Sequence, residues 1–236
     1  MNHYENIKQQ VYQCNMDLHR YGVVLFSFGN ASAIDRDKGI VAIKPSGIDY
    51  EKLTPEQIVI VDLEGNIVEG ELNPSSDTKT HLVLYNNFPE IGGVVHTHST
   101  YAVAWAQAEK PIPILGTTHA DHCHTDIPCT NFISDEKIEG DYEIETGHQI
   151  LNTFENYSYK EVEMVLVAGH GPFTWGKTSE KAVYNSVIVE ELAKIALLTR
   201  QINPNISRLK DTLIQKHYLR KHGPNAYYGQ KLDTGK

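Results

Sequence analysis

The sequence predicts a single domain of mixed α/β class, on three observations. Short apolar runs of strand length alternate with longer segments whose apolar residues recur every three or four positions. No stretch rich in Gly, Ser or Pro divides the 236 residues into separate units. Hydrophobic residues make up 40 % of the chain against 22 % charged, enough apolar surface to offset the ordering entropy of folding. At this length roughly 70–75 % of the extended surface can be buried, so neither a metal nor a disulfide is needed to hold the fold.

The elements follow in order. Ile7, Val11, Cys14 and Leu18 mark one face of a helix that stops near Gly22. Val23 to Ser27 reads as a short buried strand ending at a Gly29-Asn30 break, and Ile40 to Ile43 as a second strand before the turn Lys44-Pro45-Ser46-Gly47. Val59 to Leu63 and Ile67-Val68 flank Glu64-Gly65-Asn66 as a hairpin. Asp77 to Asn86 suits a helix with Ser76 as its N-cap. Ile91 to Val95 is an apolar strand running into His96. Tyr101 to Glu109 and Glu143 to Phe154 are helical, and Met164 to Ala168 is a buried strand punctuated by Gly169-His170-Gly171-Pro172. Ser179 to Gln201 is the longest helix, with a broad apolar stripe, and a last helix covers about Leu209 to Lys221. The tail after Tyr228 is polar.

Charge and composition exclude several classes. With 21 basic against 30 acidic side chains the net charge is −9, which argues against binding a nucleic acid backbone. The one basic run, Lys216 to His222, reads as a solvated or capping helix end. No run of 18 apolar residues exists to span a bilayer, and Met1 to Gln10 lacks the apolar centre of a secretion signal. Cys14, Cys123 and Cys129 form neither an even set nor a CxxC pair, which reads as reduced thiols in a cytoplasmic protein.

Chemistry concentrates in the histidines. In a strand, residues two apart share a face, so His96 and His98 present two imidazoles side by side, close enough to share one divalent ion. Two half-buried histidines satisfied by backbone carbonyls would show the same H-x-H spacing. His170 also follows an apolar strand, between glycines that permit close backbone approaches. Three histidines with an open position form a catalytic rather than a structural site. Asp77 is a candidate fourth contact, or simply an acid at a helix N-terminus. A rival cluster, His119-Ala120-Asp121-His122-Cys123-His124, lies in a loop with irregular spacing, and composition does not decide between the two.

Three polar turns offer anion-binding donors: Gly29-Asn30, Ser46-Gly47 and Ser75-Ser76, with Lys44 as a point charge. Each alone is made of ordinary turn formers. Nothing in the sequence shows whether they converge.

Several runs carry a family resemblance when taken in order. They are Phe28-Gly29-Asn30-Ala31-Ser32, Lys44-Pro45-Ser46-Gly47, Pro74-Ser75-Ser76-Asp77-Thr78, His96-Thr97-His98-Ser99, Gly116-Thr117-Thr118-His119-Ala120-Asp121, His170-Gly171-Pro172-Phe173, Arg220-Lys221-His222-Gly223 and Ala226-Tyr227-Tyr228-Gly229. Together they resemble the L-ribulose-5-phosphate 4-epimerase family of the class II aldolase and adducin-like superfamily, over about residues 5–231. The resemblance implies a three-layer α/β/α domain around a mainly antiparallel sheet, and a homotetramer with sites at subunit interfaces. It implies a divalent metal, zinc by its histidine ligands although Mn2+ or Co2+ also fits, held by Asp77, His96, His98 and His170. Substrate contacts would come from Gly29, Asn30, Lys44, Ser46, Gly47, Ser75 and Ser76. An acid/base pair would be Asp121 and Tyr228, the tyrosine entering from a neighbouring subunit with His217 as a cation beside it. The implied reaction is epimerisation of a phosphorylated pentulose at C4 by cleavage and re-formation of the C3–C4 bond. Two alternatives on the same scaffold are a sugar-phosphate aldolase and a non-catalytic, adducin-like interaction domain. The chain departs from the family pattern at His122-Cys123-His124, where aromatic residues are expected, and at Ala168, where a further histidine is common.

Overall fold

Short strands pair edge to edge into one seven-stranded sheet in the computed structural model of the protein, which describes residues 4–227. The strands are β1 (Asn30–Asp35), β2 (Ile40–Ile43), β3 (Val59–Asp62), β4 (Ile67–Glu69), β5 (Gly93–His96), β6 (Met164–Val167) and β7 (Gly171–Gly176). Their order is β4-β3-β2-β1-β5-β7-β6, and every neighbouring pair is antiparallel. The helices are α1 (Glu5–Arg20), α2 (Thr78–Asn87), α3 (Thr100–Gln107), α4 (Thr117–Ala120), α5 (Asp135–Glu139), α6 (Tyr142–Thr153), α7 (Ser179–Ile202) and α8 (Asp211–His222).

Strand alternation builds the layers. Along β2 and β3, Val41, Val59 and Val61 pack with Leu82, Leu84 and Tyr85 of α2 and Ile150 of α6. Ile40, Ala42 and Ile60 face the other way, against Val11 of α1. In β6, Val165 and Val167 join the α2–α6 side while Met164 and Leu166 meet Ala102 and Ala106 of α3 and Val189 and Leu192 of α7. Both faces of the sheet are thus apolar and covered, giving the three-layer antiparallel architecture expected. Among the described residues no helix is long and apolar enough to cross a membrane.

Three features differ from the sequence expectation. The run Val23 to Ser27 is not a strand. Val23 and Val24 are buried, but Leu25 and Phe26 are 62 % and 73 % exposed and Phe26 turns through φ +52°. The strand begins instead at Asn30, in a segment of small and polar residues with weak β propensity. Its polar groups are satisfied by specific partners. The Asn15 side chain bonds both the N–H and the C=O of Ala31 (2.9 and 3.1 Å), and Ser32 Oγ lies 2.7 Å from His81 Nδ1 and 2.8 Å from Tyr85 Oη. Gly171-Pro172, read as punctuation, opens β7; proline is tolerated at the first positions of a strand. The N-cap position of α2 is Asp77 rather than Ser76.

Register then places the chemistry. Asn30 pairs with His96, and His96 with Phe173, so the three central strands bring Asn30, His96 and the His170 turn to one end of the sheet.

Candidate metal centre and anion cradle

Among the described residues, His96, His98 and His170 form a group whose donor atoms all lie within 4.8 Å of one another. Their ring centroids are 4.6 to 5.0 Å apart. His96 ends β5 buried, stacked on Phe173 at 4.2 Å, with Nδ1 3.0 Å from the Pro172 carbonyl. A carbonyl only accepts, so that contact places the ring proton on Nδ1 and leaves Nε2 as a lone pair. That Nε2 is buried and has no hydrogen-bond partner. A buried acceptor seldom lacks a partner, and a divalent cation supplies one.

Glycines let His170 reach its neighbours. Gly169 takes φ +71°, and a Cβ there would sit 2.6 Å from the Phe132 ring. A Cβ on Gly171 would lie 2.8 Å from the Thr97 carbonyl, so the His170 turn and the His96-Thr97-His98 segment touch only because no side chain intervenes. Burial, then the charges of His96 and His98, push the His170 imidazole down to about 3, which keeps it neutral and ready to ligate.

Asp77 stands beside the triad but outside that compact group of donors. Its Oδ2 accepts from Asn30 Nδ2 at 2.6 Å. Burial alone would raise its carboxyl; the neighbouring His96 and His81 and the Asn30 hydrogen bond outweigh burial and hold it below the usual carboxylate range.

The polar turns do converge. Backbone bonds join Ser46 N–H to Asn73 O and Ser75 N–H to Lys44 O, both 3.0 Å, across the Pro45–Pro74 bridge. Tyr50 Oη donates to Gly29 O at 2.9 Å and tethers the third turn. Gly29 itself sits at φ +76°, where a Cβ would meet the His96 carbonyl at 2.8 Å. Gly29, Asn30, Lys44, Ser46, Gly47, Ser75 and Ser76 line one cavity of about 520 Å³ together with Asp77, His98 and His170. Lys44 is 1 % exposed, and its ammonium contacts the carbonyls of Ser27 and Pro45, at 3.3 and 3.4 Å, and lies over the Tyr50 ring, 4.9 Å from its centroid. No carboxylate lies within ion-pair distance of it among the described residues. Burial lowers the ammonium to about 8, so it remains charged at neutral pH. The Asp49 carboxylate acts on it only from beyond ion-pair distance, so a buried cation without a direct ion pair, among hydroxyls and turn N–H groups, is suited to an anion.

Asp121 and His217 are placed elsewhere. Neither lines this cavity. Asp121 follows α4 and accepts a bidentate contact from Arg220 of α8 (Nη2 to Oδ2 at 2.7 Å, Nε to Oδ1 at 3.1 Å), with His217 Nδ1 at 3.0 Å and Lys221 at 3.7 Å. Burial raises its carboxyl, but Arg220 and His217 outweigh burial and keep it ionised. Tyr228 lies outside the described residues. The rival histidine run does not gather: His119 Nε2 is satisfied by Thr125 O at 2.9 Å, His122 packs on Tyr184, and His124 on Tyr218.

The cavity also exposes residues that the sequence did not single out. Tyr142 and Glu143, at the start of α6, complete its wall. Nothing marks them in the sequence beyond the helix start itself. His81, one turn after Asp77, was readable only as an i,i+4 neighbour.

Fold and site together define a class II aldolase-like protein with a cluster of three histidines suited to a divalent metal. Residues 9–197 match the family described as Class II Aldolase and Adducin N-terminal domain, and the chain belongs to that family. Members bind phosphorylated sugars, use a divalent metal, often zinc, and are typically enzymes. Among solved structures, the chain is similar to an L-fuculose 1-phosphate aldolase at 27 % identity and TM-score 0.75, covering 90 % of this chain and 94 % of that one. An L-fuculose-1-phosphate aldolase from Thermus thermophilus shares the fold at 24 % identity, TM-score 0.66 and coverage of 86 % and 99 %. A sugar-phosphate aldolase from Thermotoga maritima does so at 19 %, TM-score 0.66, with coverage of 89 % and 100 %.

Proposed function

We propose that the protein is a metal-dependent epimerase that interconverts L-ribulose 5-phosphate and D-xylulose 5-phosphate at C4. The observation that carries this reading is the shared cavity: a buried lysine without a direct ion pair lines it among turn donors, and Asp77, His98 and His170 line it as well. A phosphorylated sugar fits the first and a chelating hydroxy-ketone the second.

The C4 hydrogen of such a sugar is not acidic, because no carbonyl adjoins that carbon. Direct proton removal at C4 is therefore disfavoured, and breaking the C3–C4 bond is the open route. His96, His98 and His170, with Asp77, would hold a divalent cation, which would supply Lewis acidity toward the hydroxy-ketone end of the sugar. A base removes the C4 hydroxyl proton, the C3–C4 electron pair passes to the three-carbon fragment as its enediolate, and glycolaldehyde phosphate forms. Lys44, Asn30, Ser46, Ser75 and the Gly29 and Gly47 turns hold that phosphate while the aldehyde turns over. Re-addition to its other face needs an acid on the opposite side to return a proton to the new C4 alkoxide.

Asp121 and Tyr228 take the two acid/base positions on opposite sides, exchanging roles between the forward and reverse reactions. Since Asp121 does not line its own chain's cavity, it and Tyr228 serve the cavity of an adjacent copy in a homotetramer. Mixing inactive His98→Asn and Asp121→Asn proteins should then restore part of the activity; no recovery on mixing contradicts sharing between subunits.

The aldolase reading is favoured by the likeness to an L-fuculose 1-phosphate aldolase. Those enzymes typically carry glutamate where Asp77 stands, one methylene longer and able to reach substrate rather than metal. Incubation of the zinc-loaded protein with L-ribulose 5-phosphate separates the two. D-xylulose 5-phosphate is expected; accumulation of dihydroxyacetone and glycolaldehyde phosphate means aldolase, and formation of no product at all defeats both.

A further inference from the structure

Tyr142 occupies the first position of α6, and its Oη lies 3.2 Å from His170 Nδ1. The position is fixed from two sides. Asp141 caps α6 through Ile144 N–H and pairs with Lys79 of α2, and Thr80 Oγ1 donates to the Glu143 carbonyl at 2.6 Å. The first turn of α6 is thereby held against α2, which keeps Tyr142 beside the His170 turn.

His96 shows what such a contact does: the Pro172 carbonyl takes the Nδ1 proton and frees Nε2. His170 has no carbonyl in that place, only the Tyr142 hydroxyl. A neutral imidazole carries one ring proton, and a phenol oxygen can accept it.

We propose that Tyr142 is a positioning residue for the metal centre, accepting Nδ1–H of His170 so that this imidazole presents Nε2 to the ion. The assignment rests on the metal reading of the three histidines. It goes beyond the ligand set itself, because Tyr142 touches no metal. Losing such a partner typically costs about 10–100-fold in metal affinity.

The test is a zinc competition titration against a chromophoric chelator on the full chain, with wild type, Tyr142→Phe, Tyr142→Gln and His170→Asn. Melting of the metal-free proteins and visible spectra of their Co2+ forms accompany it. Tyr142→Phe should bind zinc about 10–100-fold more weakly, with unchanged metal-free melting and a shifted cobalt spectrum. Tyr142→Gln, whose amide oxygen restores an acceptor, should recover part of the affinity. Binding by Tyr142→Phe within about twofold of wild type with an unaltered cobalt spectrum overturns the assignment. So do equal affinities of the Phe and Gln variants, or weakened binding that merely follows lost metal-free stability. Failure of wild type to bind zinc more tightly than His170→Asn would instead refute the metal centre itself.

Discussion

Two histidine-rich regions of this molecule share a composition and differ in what they can do. His119, His122 and His124 are close in sequence, yet their rings part: His119 meets a carbonyl, and His122 and His124 pack on separate tyrosines, with His124 Nδ1 buried and unpartnered outside any ligand group found among the described residues. His96, His98 and His170 come from two distant segments and meet with their donor atoms within 4.8 Å. Sheet register creates the second group. Pairing of β5 with β7 sets His96 opposite Phe173 and draws in the turn before it. Proximity along a loop does not make a ligand set; converging strand ends do, because their backbones are fixed by hydrogen bonds before any ion arrives.

Replacing histidines sharpens that contrast most strongly. His96→Asn or His98→Asn should abolish stoichiometric zinc binding in equilibrium dialysis, and turnover with it. His122→Asn and His124→Asn should leave zinc content unchanged. Equal losses from both groups would erase the distinction.

The next largest effect separates the anion cradle from the metal. Lys44→Met should weaken inorganic phosphate and substrate binding about 10–100-fold, as removal of a charged hydrogen-bond donor worth roughly 1.5–3 kcal/mol requires. Zinc content should not change. Phosphate affinity in the wild type should also fall as pH rises through about 8, where the buried ammonium deprotonates. Phosphate titrations by calorimetry check both.

Buried histidines outside the ligand set give a pH signature. Burial lowers His81 to about 3 and His119 to about 4, both below the ordinary 6.5. Below pH 6.5 the unfolded chain takes up protons that the folded chain refuses, so stability falls with falling pH. From pH 7 to pH 5 the loss is about 2 kcal/mol for each such group. Urea midpoints at the two pH values measure it, and a constant midpoint would show that these rings are not kept neutral by the fold.

Smaller again is the Gly29 turn. Gly29→Ala places a side chain at φ +76° and 2.8 Å from the His96 carbonyl, and should cost about 1–2 kcal/mol. That corresponds to a melting decrease of several degrees, at about 2–4 °C per kcal/mol for a chain of this size. An unshifted melting point would mean that the Gly29 and His96 backbones are not pressed together.

These contrasts also show which parts of the molecule could be read from residues. The closeness of His96 and His98 was expected from a shared strand face, but β5 ends at His96 and His98 lies in the segment beyond it; the hairpin at Val59 to Glu69 and the long α7 were legible because their apolar patterns are strong. The strands β1 and β7 were not, since Asn30 to Asp35 is small and polar and Gly171-Pro172 looks like a turn. The strand character of β1 comes from Asn15, His81 and Tyr85, residues supplied from elsewhere in the fold. The same holds for the cavity. The turns at 29–30, 44–47 and 74–77 each looked ordinary, and only the Pro45–Pro74 bridge and the Asn30–His96 pairing bring them together. The family resemblance put Asp121 forward as an acid/base group, but its Arg220 clamp depends on how α8 docks on α4.

X-ray absorption at the zinc edge of the loaded protein tests the centre most directly. Three imidazole nitrogens at about 2.0–2.1 Å with oxygen completing the shell are expected, and they should vanish in His98→Asn. A sulfur shell near about 2.3 Å, from Cys123 or Cys129, or a spectrum untouched by His98→Asn, would place the metal elsewhere and contradict the account.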